Sequence, residues 1–144
     1  MALIARTYAT LCEGQVKELV WMDDLGHGPE GYHAVIGGKT ASLIRTSARL
    51  GAMTGGADQG QIEAISDWAW EMGMVFQITD DIFDYLGDER RLGKPTGQDW
   101  EEGRITLPLI AAWRQADERS RRELGELGST RDPAARAAVW PNVQ

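Results

Sequence analysis

The sequence is short of cysteine, histidine and phenylalanine, with one, two and two in 144 residues. Cys12 alone excludes an intrachain disulfide, and with it a stapled secreted scaffold; a reducing cytoplasm is the expected compartment. His27 and His33 have no cysteine or glutamate at metal-ligand spacing and read as surface histidines. No apolar run approaches the roughly 18 residues of a membrane-crossing helix, and Arg6 interrupts the only apolar stretch near Met1. Neither a stable membrane insertion nor a signal peptide is expected. Positive charge is also scarce. Fifteen Lys and Arg stand against 22 Asp and Glu, a net charge of −7. Nothing offsets phosphate repulsion, so no nucleic-acid partner is expected.

Hydrophobic residues, at 42%, suffice for a real core. Strand-like alternation is rare, while Ala, Leu, Glu, Arg and Met are frequent, which predicts an all-α fold. The expected helices run roughly over 3–22, 33–54, 58–86 and 105–115, with a charged segment over 117–127. Glycine and proline mark a break at 24–31 and a polar loop at 87–103. The third helix is the most apolar, carrying Ile62, Ile65, Trp68, Ala69, Met72, Val75, Phe76, Ile78, Ile82 and Phe83, and is expected at the centre. It is apolar nearly all round, so it calls for neighbours on every side. An exposed apolar patch is therefore expected, with Trp68, Trp70 and Met74 as its candidates. Residues 1–128 read as the helical domain, and 129–144, with Pro133 and Pro141, as a poorly ordered tail.

Three aspartates carry the chemistry. Asp80, Asp81 and Asp84 form D-D-x-x-D, and helical spacing puts all three carboxylates on one face, with Gln77 one turn earlier. The arrangement is costly. Like charges at i, i+4 repel, and the helix ends near Gly87, so the carboxylates sit at the negative end of its dipole. Penalties concentrated at one spot point to a function. Carboxylates without Cys or His suit Mg²⁺ or Ca²⁺ rather than zinc. A solvated acidic face is the other reading of the spacing alone.

Basic residues follow: Lys94 in the loop after the acidic helix, Arg104 at the start of the next, and Lys39 beside Thr40. Each reads alone as a surface residue. Beside an acidic metal site they point to an anionic ligand shared with the metal, most simply a diphosphate. Two glycine patterns are decoys. Gly26, Gly28 and Gly31 match G-x-G-x-x-G, but a helix rather than a strand precedes them. Gly38-Lys39-Thr40 lacks the earlier glycine of a phosphate loop, since His33 occupies that position.

The stretch FQITDDIFDYLGDERRLGKPTGQDWEEGRITLPL, from Phe76 to Leu109, closely resembles the second aspartate-rich region of the polyprenyl synthetase family, the trans-isoprenyl diphosphate synthases. GKTASLIRTSARLGA, from Gly38 to Ala52, resembles that family's Lys-Thr helix, and Cys12-Glu13-Gly14-Gln15 the segment before it. The resemblance covers Leu11 to about Ala112. It implies a partial isoprenoid-synthase helical bundle that condenses an allylic diphosphate with isopentenyl diphosphate, using Mg²⁺. In such an enzyme the metal stabilises the leaving diphosphate as the C–O bond ionises.

Carried over residue by residue, Asp80, Asp81 and Asp84 match the second metal-binding motif, the latter two acting partly through water. Lys39, Lys94 and Arg104 match basic positions around the allylic diphosphate. Arg104 stands where the family usually has lysine, which keeps the charge and changes the geometry. Thr40 and Gln77 match polar positions near the substrate, so Lys39, Thr40, Gln77 and Lys94 are the expected catalytic set. Phe76 is expected in the pocket wall or core, and Asp99 in a structural role. The first aspartate-rich motif, its arginine pair and the basic isopentenyl diphosphate site have no counterpart here. The chain therefore reads as the C-terminal half of a synthase, expected to be inactive alone and to work as a homodimer or with a partner. A non-catalytic small subunit that pairs with a full-length synthase is the alternative.

Overall fold

The computed structural model describes residues 1–128, 132 and 134–136. Among these, every regular element is helical and none is a strand, as expected. The helices are α1 (Ala2–Val20), α2 (Gly28–Ile36), α3 (Ser42–Thr54), α4 (Gln59–Leu86), α5 (Glu89–Leu92), α6 (Gln98–Glu102), α7 (Leu107–Gln115) and α8 (Glu118–Gly128). A 3₁₀ turn, Leu25–His27, precedes α2, and a π-helical turn, Gly37–Ala41, joins α2 to α3. The chain divides into two compact units, one of residues 1–20 and 33–77, the other of 21–32 and 78 onward.

The first unit is built on close approach. α1 lies against the π-helical turn and α3. A Cβ on Gly14 would stand 2.5 Å from the Lys39 amide nitrogen, so only glycine lets the two backbones meet there. Gly73 plays the same part on α4, where a Cβ would come within 2.7 Å of the Ala41 Cα. Thr7 on α1 and Thr46 on α3 share a buried hydrogen bond of 2.7 Å. Asp58 starts α4 with a capping box: its Oδ1 accepts from the Gln61 amide at 2.9 Å, and its own amide donates to Gln61 Oε1 at 3.1 Å.

Here α4 corrects the sequence reading. Its buried stripe is Ile62, Ser66, Ala69 and Gly73, mostly small residues at helical spacing. Ile65, Trp68, Met72, Val75 and Phe76 are exposed, Trp68 at 61% and Val75 at 62%. Close backbone approach selects the small face, and the bulky face is left outside. Trp70 and Met74 do not belong to the exposed row, since they pack over Gly37. Arg45 lies over the Trp70 ring, 5.8 Å from its centroid.

The second unit is closed by Tyr85, Trp100 and Leu109, with Leu25, Ile105 and Leu124 packed on them. Burying a side chain such as Leu109 is worth roughly 1.5–3 kcal/mol. The expected loop over 87–103 contains two short helices. Asp88 caps α5 by accepting from the Arg90 amide at 2.9 Å, and Gly93 ends it in the left-handed region. The expected break at 24–31 is half helix, because Pro29 sits in the first turn of α2, where no amide is needed.

Most of the expected tail over 129–144 lies outside the described residues. Within it, Arg136 is buried. Its guanidinium donates to the Trp100 carbonyl at 3.2 Å and pairs with Asp23, while Trp100 Nε1 donates to the Arg136 carbonyl at 3.1 Å.

Candidate functional site

The candidate residues fall in both units. In the first, Thr40 sits in the π-helical turn and donates its hydroxyl to Gln77 Oε1 at 2.7 Å. The spacing of the two in sequence gives no hint of this contact. Lys39, next to it, is gripped by both carboxylate oxygens of Glu18 at 2.7 Å. Glu18 escaped the sequence reading, because 21 residues separate it from Lys39 and no motif marks it.

In the second unit the three aspartates take three different positions. Asp80 is the outward one, with its side chain 48% exposed and paired with Lys94 at 2.7 Å. That hydrogen bond is the leading cause holding the Lys94 ammonium above the usual lysine range, and the charges of Asp80, Asp84 and Asp99 add to it. Asp81 is 4% exposed, and its Oδ2 accepts from the Tyr32 hydroxyl at 2.6 Å. Asp84 is 5% exposed and accepts from the backbone amides of Asp99 at 2.9 Å and Gln98 at 3.3 Å. Its own carbonyl accepts from the Gly97 amide at 2.8 Å.

Asp99 completes a buried acidic group. Burial first, then the charges of Asp81 and Asp84, push its carboxyl up to about 7, against the pull of Arg104. Arg104 Nη1 donates to Asp99 at 3.1 Å, and its other arm pairs with Glu102. Burial likewise raises the hydroxyls of Tyr32 and Tyr85 far above the ordinary tyrosine range, so both remain donors. Arg104 also lines a cavity of about 460 Å³ with Asp24, Trp100, Leu109 and Trp113.

The donors suit a hard divalent cation, being carboxylate oxygens only, with Asp80 presented to solvent. Among the described residues, no three His, Cys, Asp or Glu side chains already form a metal cage. Asp81 gives its Oδ2 to Tyr32, and Asp84 gives both oxygens to backbone amides. Phe76, expected in a wall or core, is 57% exposed.

Comparison with known proteins decides the family. The model of the family described as polyprenyl synthetase matches residues 1–141. The chain belongs to the polyprenyl synthetase family. Over 124 residues it is 36% identical to the short chain isoprenyl diphosphate synthase of Methanothermobacter thermautotrophicus, covering 86% of this chain and 38% of that protein. It is 36% identical over 137 residues to heptaprenyl diphosphate synthase component 2 of Geobacillus stearothermophilus, covering 95% of this chain and 42% of that one.

Among solved structures, a decaprenyl diphosphate synthase from Rhodobacter capsulatus superposes with a TM-score of 0.82 at 33% identity. That match covers 99% of this chain and 45% of the other. A polyprenyl synthase from Caulobacter crescentus, solved with calcium and isoprenyl diphosphate, gives 0.73 at 31% identity, over 95% and 46%. The chain thus spans under half the length of these polyprenyl synthetase relatives. The all-α fold read from the sequence is the fold of the family.

Proposed function

We propose that this chain carries the diphosphate-and-metal half of an isoprenyl diphosphate synthase site, one that condenses an allylic diphosphate with isopentenyl diphosphate. The observation that carries this reading is the Asp80–Lys94 pair, an exposed carboxylate and ammonium 2.7 Å apart above buried acid residues. A Mg²⁺–diphosphate complex offers each partner a better counterpart: the cation takes Asp80 and a phosphoryl oxygen takes Lys94. The Caulobacter relative, solved with calcium and isoprenyl diphosphate, supports the pairing of a divalent cation with a diphosphate.

Asp80 would hold the metal directly, with Asp81 and Asp84 reaching it through water. When bound, the metal supplies charge stabilisation for the departing diphosphate. In the second unit Lys94 and Arg104 would bind diphosphate oxygens, and the family resemblance assigns Lys39 the same task. For Lys39 this means exchanging Glu18 for the ligand. Thr40 and Gln77, bonded to each other, hold one another's polar groups in place, and the family resemblance sets them near the substrate.

Titration calorimetry with pyrophosphate, with and without Mg²⁺, tests the reading. Binding should be at least tenfold tighter with Mg²⁺, and Asp80→Asn should abolish that gain. Equal binding in both conditions, or none in either, would count against it.

Activity in condensation calls for a partner. The exposed row Ile65, Trp68, Met72 and Val75 steps by three and four residues along α4, the spacing of a helix-packing seam. Trp68 supplies large apolar area to such a seam. The naming of the Geobacillus relative as a component 2 supports the same inference. Light scattering at micromolar concentration should show self-association, and a clean monomer would remove the seam from the argument unless a second polypeptide binds it.

A further inference from the structure

Tyr32 belongs to no sequence motif, yet it makes a short, buried contact to the aspartate motif. It lies in α2, is 2% exposed, and donates to Asp81 Oδ2 at 2.6 Å from 49 residues away. We propose that Tyr32 is a positioning residue for the metal: by holding Asp81 inward it fixes the rotation of α4 at which Asp80 faces solvent. The inference rests on the diphosphate-and-metal reading above.

Successive residues on an α-helix point about 100° apart. With Asp81 and Asp84, about 60° apart around the helix, both turned into the protein, Asp80 is left at the edge of that face, beside Lys94. The second anchor lies one turn on, where Asp84 is tied to the amides of Gln98 and Asp99. Two buried carboxylates thus clamp the end of α4 while the third is left for a ligand. A buried carboxylate with fewer donors is driven toward water. Loss of the Tyr32 hydroxyl therefore lets Asp81 swing outward and carries Asp80 away from its pairing with Lys94. Tyr32 touches no ligand in this scheme and acts only through Asp81.

Tyr32→Phe removes the hydroxyl and keeps the ring. The variant should bind pyrophosphate without Mg²⁺ at least as well as the parent does, because no cation is removed and Lys94 is released from Asp80. Its gain in pyrophosphate affinity on adding Mg²⁺ should fall by about three- to tenfold, and Mn²⁺ binding followed by electron paramagnetic resonance should weaken in parallel. A residue that merely supports packing would lower both kinds of binding together.

An unchanged Mg²⁺-dependent gain in Tyr32→Phe would overturn the inference and leave the site reading intact. Absence of any Mg²⁺ effect in the parent would overturn both. Should the variant fail to fold, fluorine labelling of the parent decides. The chain has three tyrosines, so 3-fluorotyrosine gives three resonances, assignable with Tyr8→Phe and Tyr85→Phe. The Tyr32 line should shift on adding Mg²⁺ with pyrophosphate, and an unmoved line at saturation would overturn the inference.

Discussion

The two units hold their functional side chains by different physics. In the first, Lys39 and Thr40 stand in a π-helical turn that α1 reaches through Gly14 and that α4 reaches through Gly73. Their side chains are half-exposed, and their partners, Glu18 and Gln77, are other side chains. Backbone against backbone sets the geometry. In the second, position comes from burial of charge: Asp81 on Tyr32, Asp84 on two amides, Asp99 on Arg104. Steric contact is indifferent to pH and salt, whereas buried carboxylates are not. The first unit should therefore break on adding volume and the second on changing protonation.

The largest expected effect is on the steric side. Gly14→Ala places a methyl 2.5 Å from the Lys39 amide nitrogen and 2.8 Å from the Gly38 carbonyl carbon, both backbone atoms that cannot rotate aside. Overpacking of this kind costs about 2–3 kcal/mol. Thermal unfolding should fall by roughly 5–12 °C for a chain of this size. The same substitution at Gly51, on α3 with open space at its Cβ, should be neutral or stabilise by up to about 1 kcal/mol. A Gly14→Ala protein as stable as its parent would show that α1 does not rest on that turn.

The contrast also explains what could be read in advance. Helix periodicity gave α1, α4 and α7 within a few residues, since each has a long apolar repeat. The motif D-D-x-x-D was visible because it breaks local rules. Its division of labour was not, because identical residues on adjacent turns differ only in what faces them. Tyr32 and Glu18 were invisible for the same reason: their partners are 49 and 21 residues away. The misplaced face of α4 has another cause. Hydrophobicity ranks Met72 and Val75 above Ser66 and Gly73 as core residues, but close packing of backbones inverts that order when small residues share a stripe; Trp68 is exposed, as expected. The short helices α5 and α6 were hidden by the glycines that punctuate them, Gly93, Gly97 and Gly103, all at positive φ.

The smaller effect is on the electrostatic side. The Asp99 carboxyl stands at about 7 in the folded chain, against an ordinary 3.8. Between these values the unfolded chain gives up a proton that the folded chain keeps. The unfolded state then binds fewer protons, so in metal-free buffer Asp99 makes stability fall as pH rises from about 4 to about 7, and level off above. The groups facing it set this window: Asp81 and Asp84 raise the value, and Arg104 lowers it. Asp117 acts in the opposite sense and elsewhere. Its carboxyl accepts from the Ser120 amide at the start of α8 and is held below the ordinary value, so its contribution is present at neutral pH and lost only in acid.

Asp99→Asn removes the titrating group and keeps the shape. It forfeits the ion pair with Arg104, a loss confined to pH values above about 7, where Asp99 is ionised in the folded chain. Relative to the parent, the variant should therefore gain stability steadily from pH 4 to 7, as followed by urea unfolding at fixed temperature. The gain comes from a neutral amide that has no charge to bury beside Asp81 and Asp84. Gly14→Ala, by contrast, should shift the parent's stability by a pH-independent amount over the same range. Parallel pH profiles for Asp99→Asn and its parent would mean that the acidic group is open to water, and the distinction between a sterically held unit and an electrostatically held one would fail.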